Sequence, residues 1–218
     1  MNIKAVIRKD LKSEYRTKYA ISSLFLFVFI TVALIYFIAG GKEIDTTLLS
    51  GLYWIVIFFS AMTGLGRTFV AEEEKSTTLF LKLYSDPLSV YFGKLTFNLI
   101  LISLVNLITL LLFLLLIDSF VIYNHGVFFA NLFLTGIAIG SGTTLLSALI
   151  SKANNKSTLL PILSFPVLLP ILIISTELLA STLHPEKMPN ANDLIIITSY
   201  TGALITASYL LFDFVWKD

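Results

Sequence analysis

Six apolar stretches, each long enough to cross a bilayer, govern what this chain can fold into. They run over about 20–39, 48–66, 95–117, 127–150, 158–179 and 194–213. An α-helix rises about 1.5 Å per residue, so roughly twenty residues cross a hydrocarbon layer roughly 30 Å thick. Each run is free of charge through its middle. A helical hairpin in a soluble core could imitate one such run, but not six. Composition agrees: 56% of the 218 residues are hydrophobic and 13% charged, where soluble domains carry about 25% charged residues. Mean hydropathy is +0.88. Eighteen Phe and nine Tyr suit lipid-facing and interfacial positions. The expected fold class is an all-α membrane protein with six transmembrane helices.

The chain has no Cys, which excludes disulfides, thiolate metal sites, a thiol nucleophile and covalent haem attachment through C-x-x-C-H. The first apolar run follows a segment carrying six Lys/Arg, is itself span-length and lacks an A-x-A-like cleavage site. It reads as a retained span and not as a cleaved signal peptide.

Cation placement sets the expected orientation. Lys4, Arg8, Lys9, Lys12, Arg16 and Lys18 precede the first span. Arg67, Lys75, Lys82 and Lys94 fall between the second and third, Lys152 and Lys156 between the fourth and fifth, and Lys217 in the tail. All but Lys42 and Lys187 of the fifteen Lys/Arg thus lie on one side. The positive-inside rule makes that side cytoplasmic, with both termini on it. Within residues 1–19, Ile3, Ile7, Leu11 and Tyr15 recur every four residues, with Val6 and Tyr19 near the same face and bases elsewhere. This pattern predicts an N-terminal amphipathic helix lying in the membrane interface, ahead of a six-span domain over 20–218. A simple basic topogenic flank is the plainer alternative.

One polar segment interrupts the pattern: RTFVAEEEKSTTLFLKLYSDPLSVYFGK, residues 67–94. It far exceeds the roughly 2–8 residues of an ordinary helix–helix connection. Glu72, Glu73 and Glu74 lie where span 2 would emerge, beside Lys75; Ser76 and Thr77 offer helix N-caps. Leu79, Leu81 and Leu83 alternate with Phe80, Lys82 and Tyr84, and Asp86-Pro87 signals a turn and restart before Lys94 leads into span 3. We read a short helix, a turn and a new helix, although composition alone favours a solvated charged loop.

Inside the spans, chemistry-bearing groups are scarce. Spans 1 to 4 and 6 hold no ionisable residue at depth, and Glu177 falls near the outer end of span 5. It is an interfacial acid or a contact at the outer mouth. Pro161, Pro166 and Pro170 should kink or break span 5, which is then either a kinked packing helix or a mobile element lining a path. Gly136 and Gly140 form a G-x-x-x-G that permits close helix approach. The following GSGTT lacks the Lys and spacing of a phosphate loop. His125 and His184 fall in outer loops and read as solvated residues, with haem ligation the less favoured alternative. Trp54 and Trp216 suit interface anchors. The Asn155 sequon lies on the cytoplasmic side, where it has no meaning. No catalytic set and no metal site emerges, and nothing points to nucleic acid.

The acidic cluster after span 2, the Ser/Thr step, the Leu-rich turn, "SDP" and then "GK" resemble the coupling segment of six-span ABC-2-type export permeases. GLYWIVIFFSAMTGLGRTF at 51–69, the acidic loop, SKANNKST before span 5 and the proline rhythm of LLPILSFPVLLPILIISTE at 159–177 resemble one branch more closely. That branch is the CcmB haem-exporter permease family of cytochrome c maturation, and the resemblance covers essentially the whole chain. It implies that 67–94 docks on a separate CcmA-like ATPase, which alone would bind ATP. It further implies CcmC-like and haem-chaperone CcmE-like partners, two permease copies per complex, the bacterial inner membrane and a role in haem delivery, either with haem as the transported species or with ATP used to release a haem-loaded chaperone. A general ABC-2 permease for lipid, polysaccharide or drug, a non-transporting scaffold and, last, an intramembrane enzyme are the competing readings.

Overall fold

A computed structural model describes residues 2–153 and 156–217, and every regular element among them is helical. The helices are α1 (Ile3–Thr17), α2 (Tyr19–Ala39), α3 (Thr46–Gly64), α4 (Arg67–Glu74), α5 (Thr78–Tyr84), α6 (Pro87–Leu116), α7 (His125–Ile150), α8 (Lys156–Thr182) and α9 (Ala191–Lys217). Six helical stretches are long and apolar enough to span a membrane, with α3 and α4 counted as one. The six-span all-α architecture expected from the apolar runs is the one that forms. Asn155 of the sequon lies outside the described residues.

The ends of these helices follow from their local chemistry. Lys18, at φ 52°, is both the end of α1 and the start of α2, so one left-handed residue turns the chain from the first helix into the first span. Gly40 takes the same conformation after α2, at φ 56°, without the steric cost a side chain would bring. Asp45 caps α3 by accepting from Thr47 N (2.9 Å) and Leu48 N (3.2 Å). The bonds from Leu48 and Thr47 hold its carboxyl below the usual carboxylate range. Asn124 caps α7 by accepting from Val127 N at 3.2 Å. Pro87 opens α6, where its absent N–H costs nothing and its fixed φ suits the first turn.

That opening revises one boundary. The helix that carries the third apolar run begins at Pro87 and runs for 30 residues, so the last turns of the polar segment are continuous with it. The rest of the segment is two short helices, α4 continuing from the second span and α5 beyond it, instead of one.

Helices α3 and α7 sit centrally, with α2, α8 and α9 at the periphery. The G-x-x-x-G faces α6. A Cβ on Gly136 would lie 3.1 Å from Asn106 Nδ2, and one on Gly140 2.9 Å from Leu99 Cδ2. At one end of the bundle Tyr53 packs with Trp54, Phe113 and Phe120, the last pair 5.2 Å apart between ring centroids. Trp54 is therefore a core residue, 2% exposed, and not the interface anchor expected of it. At the same end Ile44 N donates to Ser119 Oγ (3.2 Å) and Tyr123 N to the Thr182 carbonyl (2.9 Å). The connections after α2, α6 and α8 thus share this end. Both chain termini, α4 and α5 share the other, where most of the Lys and Arg lie.

Helix α8 runs unbroken across Pro161, Pro166 and Pro170. Pro166, Pro170 and Glu177 are exposed and Pro161 half-buried, so the prolines sit on or near the outward side instead of interrupting the packed face. Tyr200 OH donates to the Val167 carbonyl, 2.5 Å away, in the turn between the last two prolines. Of the kink or break expected at these prolines, the break does not occur.

Candidate functional site

At the basic end, α1 divides into three faces. Ile3, Leu11 and Tyr15 point outward, as their spacing predicts. Lys4, Arg8, Lys12 and Arg16 are exposed. The third face was not apparent from the apolar stripe: Val6, Asp10 and Glu14, four residues apart, are the buried side of the helix. Val6 enters the space that Gly93 leaves open, where an added Cβ would lie 2.6 Å from Val6 Cβ. Glu14 accepts from Ile21 N at 2.9 Å and so satisfies a free amide at the start of α2.

Asp10 meets Lys94. The Lys94 ammonium lies 3.0 Å from Asp10 Oδ2 and 2.6 Å from Glu72 Oε1, and donates also to the Thr68 carbonyl at 3.1 Å. Lys94 is 1% exposed. Lys9 pairs with the same Glu72 oxygen, so two carboxylates face two ammonium groups and the cluster is formally neutral. A buried charge without such partners would cost several kcal/mol. Each half of the expected docking cluster therefore changes meaning. Glu72 points inward as an internal counter-ion, and Lys94 is a buried residue of a span and not the exposed end of a loop.

The acids beside Glu72 diverge from it. Glu73 is half-buried. Glu74 is exposed and accepts from Arg67 Nη2 at 2.9 Å. Lys75 reaches back to Ser13 Oγ of α1 at 3.3 Å. Ser76 takes a left-handed conformation, φ 54°, and turns the chain between α4 and α5. Thr77 occupies the N-cap position of α5, yet its hydroxyl donates to the Glu72 carboxylate and accepts no bond from the helix amides. Asp86 precedes Pro87 in extended conformation, also without a side-chain capping bond.

A second layer holds the α3–α4 joint. Thr68 Oγ1 donates to Asn98 Oδ1 (2.6 Å), and Asn98 Nδ2 donates to Thr144 Oγ1 (2.8 Å). Ser147 accepts from Phe69 N at 3.2 Å and donates to the Gly66 carbonyl at 2.7 Å, bridging the two helices across their break. The small polar residues after Gly140 are thus more than packing: Thr144 and Ser147 clamp the joint. The signal for this was Thr144 and Ser147 about one helical turn apart in the polar stretch that follows Gly140.

Helix α5 sits beyond this joint. Leu81 is buried against Phe69, Tyr91, Phe212 and Trp216, and Lys82 Nζ stands 5.7 Å over the Trp216 ring. Trp216, like Trp54, is buried. The opposite face of α5 is exposed: Leu79, Phe80, Leu83 and Tyr84 are 72%, 56%, 78% and 60% exposed. Pro161, Pro166, Pro170 and Glu177 on α8, and Gly136 and Gly140 on α7, take no part in this cluster. His125 and His184 are exposed in the region of the opposite end. Among the described residues no three His, Cys, Asp or Glu side chains converge as a metal site.

The arrangement ties three segments into one mechanical unit and presents one apolar ledge. Compared with known families, residues 1–215 match the family model described as CcmB protein. No curated protein matches the chain.

Proposed function

The chain belongs to the CcmB family, and from that premise we propose that α5 is the element through which a separate ATPase drives it. Family membership and six apolar helices make the chain a multi-pass membrane permease of haem export in cytochrome c maturation. The observation that carries the finer reading is the apolar ledge Leu79, Phe80, Leu83 and Tyr84 beyond the ends of the spans. Four large apolar side chains on one face of a seven-residue helix, outside any span, favour burial against a partner. Leu81 anchors the ledge to the bundle, and Thr77 links its first turn to Glu72.

The partner is a CcmA-like ATPase that binds the ATP. The basic end faces the cytoplasm, both termini with it, and the membrane is the bacterial inner membrane. Two permease copies assemble per complex, alongside CcmC-like and CcmE-like haem-handling proteins, and haem is the cargo.

Leu79→Asp with Leu83→Asp tests the reading, because both side chains are exposed and the fold does not need them. The variant should insert normally, lose co-purification of the ATPase and abolish covalent haem in c-type cytochromes. Unchanged co-purification and ATP turnover would overturn the assignment. Orientation has its own test: the natural chain has no Cys, so a single cysteine at Lys75 should react with impermeant label only from the cytoplasmic side.

A further inference from the structure

Between α1, α2 and α6 runs an open apolar crevice of about 630 Å³. Its floor is Phe97, Ile100, Leu101 and Leu104 of α6, with Ile7 and Leu11 of α1 and Ile21 of α2 as its walls. Its rim is cationic: Lys4, Arg8 and Lys12, spaced four residues apart, all line it and all are exposed. Successive residues of such a row lie about 6 Å apart along the helix. The acid on this rim, Glu14, is buried and accepts from Ile21 N. Among the described residues Lys4, Arg8 and Lys12 have no salt-bridge partner, in contrast with Lys9 next to them.

We propose that this crevice binds an anionic phospholipid, with an acyl chain along Phe97–Leu104 and the headgroup phosphate on the Lys4, Arg8 and Lys12 row. Charge complementarity selects this occupant. A protein helix would fill the apolar floor but would need its own acids placed along the rim, whereas a lipid of the adjoining leaflet brings an apolar tail and an anionic head in one molecule. Bases beside apolar surface at a membrane interface attract anionic lipid by the same two terms. Because α1 also carries Asp10 into the Lys94 cluster, the bound lipid and the buried ion network grip opposite faces of one helix.

The full chain, purified in non-ionic detergent and titrated with phosphatidylglycerol or phosphatidylcholine, is read by native mass spectrometry. Phosphatidylglycerol should be retained and phosphatidylcholine not. Lys4→Gln with Arg8→Gln and Lys12→Gln should lower retention about tenfold or more. Ile100→Trp with Leu104→Trp, which fills the crevice and leaves the bases intact, should do the same. Equal retention of the two lipids, or phosphatidylglycerol retained by either variant, overturns the proposal; retention by the tryptophan variant alone reduces the effect to surface charge. If a variant fails to fold, photoactivatable phosphatidylglycerol on the unaltered chain decides. Cross-links within 97–104 support the site, and cross-links confined elsewhere, or protection of 97–104 by a second protein chain, overturn it.

Discussion

Lys94 and Glu72, 22 positions apart in the chain, meet with 2.6 Å between ammonium and carboxylate, and both side chains are shut away from solvent. Asp10 closes the cluster from the other side at 3.0 Å. Through these contacts the third span, the extension of the second and the N-terminal helix share one charge centre. None of the three can shift without disturbing the others' counter-ions. A push on α5 would reach Glu72 through Thr77 and from there α6 and α1, which is the physical content of coupling in the proposed mechanism.

Removing the cation should be worse than removing the whole cluster. Lys94→Met leaves two buried carboxylates with Lys9 as their remaining cation, and breaking such a pair costs about 3–5 kcal/mol. Adding Asp10→Asn and Glu72→Gln removes the stranded charges, and most of the lost stability should return. Thermal unfolding of the purified chain in detergent checks both. A Lys94→Met cost below about 1 kcal/mol would mean that water reaches the cluster freely.

Gly93 sets how close α1 can come. An alanine there would place its Cβ 2.6 Å from Val6 Cβ and 2.7 Å from Val6 Cγ1. The first of these atoms is fixed to the α1 backbone and cannot rotate aside. Gly93→Ala should therefore lift α1 off α6 at a cost of about 1–3 kcal/mol, offset in part by the roughly 1 kcal/mol that Ala gains over Gly in a helix. Hydrogen exchange along α1 should accelerate. Trimming Val6 to Ala should not restore it, since the clashing Cβ remains.

Ser76 points the other way. Its φ of 54° lies in the left-handed region, which costs an L-residue roughly 1–2 kcal/mol. Ser76→Gly should raise the unfolding midpoint, less whatever the freer unfolded chain regains. A β-branched Ser76→Ile should lower it. The reverse order would show that the turn between α4 and α5 does not depend on this conformation.

Residues such as these show what could be read from the chain. The spans were legible because lipid demands long uninterrupted apolar helices, and a restart at Asp86-Pro87 was legible because proline suits a first turn. The Lys94 cluster was not, because cation placement was read for sidedness and a lysine beside a span counts the same whether it faces water or a carboxylate. Its trace was nonetheless present: Val6, Asp10 and Glu14 form a stripe of their own, distinct from Ile3, Ile7 and Leu11. Trp54 was misplaced for a related reason. An aromatic near a helix end is amphipathic wherever it lies, and only packing against Tyr53 separates a core ring from an interfacial one.

Two serines less than two turns apart on α7 should respond oppositely to loss of their hydroxyls. Ser147 Oγ bridges Phe69 N and the Gly66 carbonyl, and Ser147→Ala leaves both backbone groups buried without that partner. The cost should be about 1–3 kcal/mol, with faster hydrogen exchange at the Phe69 amide as the joint between α3 and α4 loosens. Ser141 Oγ is buried and, among the described residues, makes no hydrogen bond. Ser141→Ala removes a desolvated hydroxyl that returns nothing, so stability should hold or rise slightly. Measured side by side under the same unfolding conditions, the pair separates the clamp from mere burial of a small polar residue. Equal losses at both positions would mean that the Ser147 bridge contributes no more than its volume.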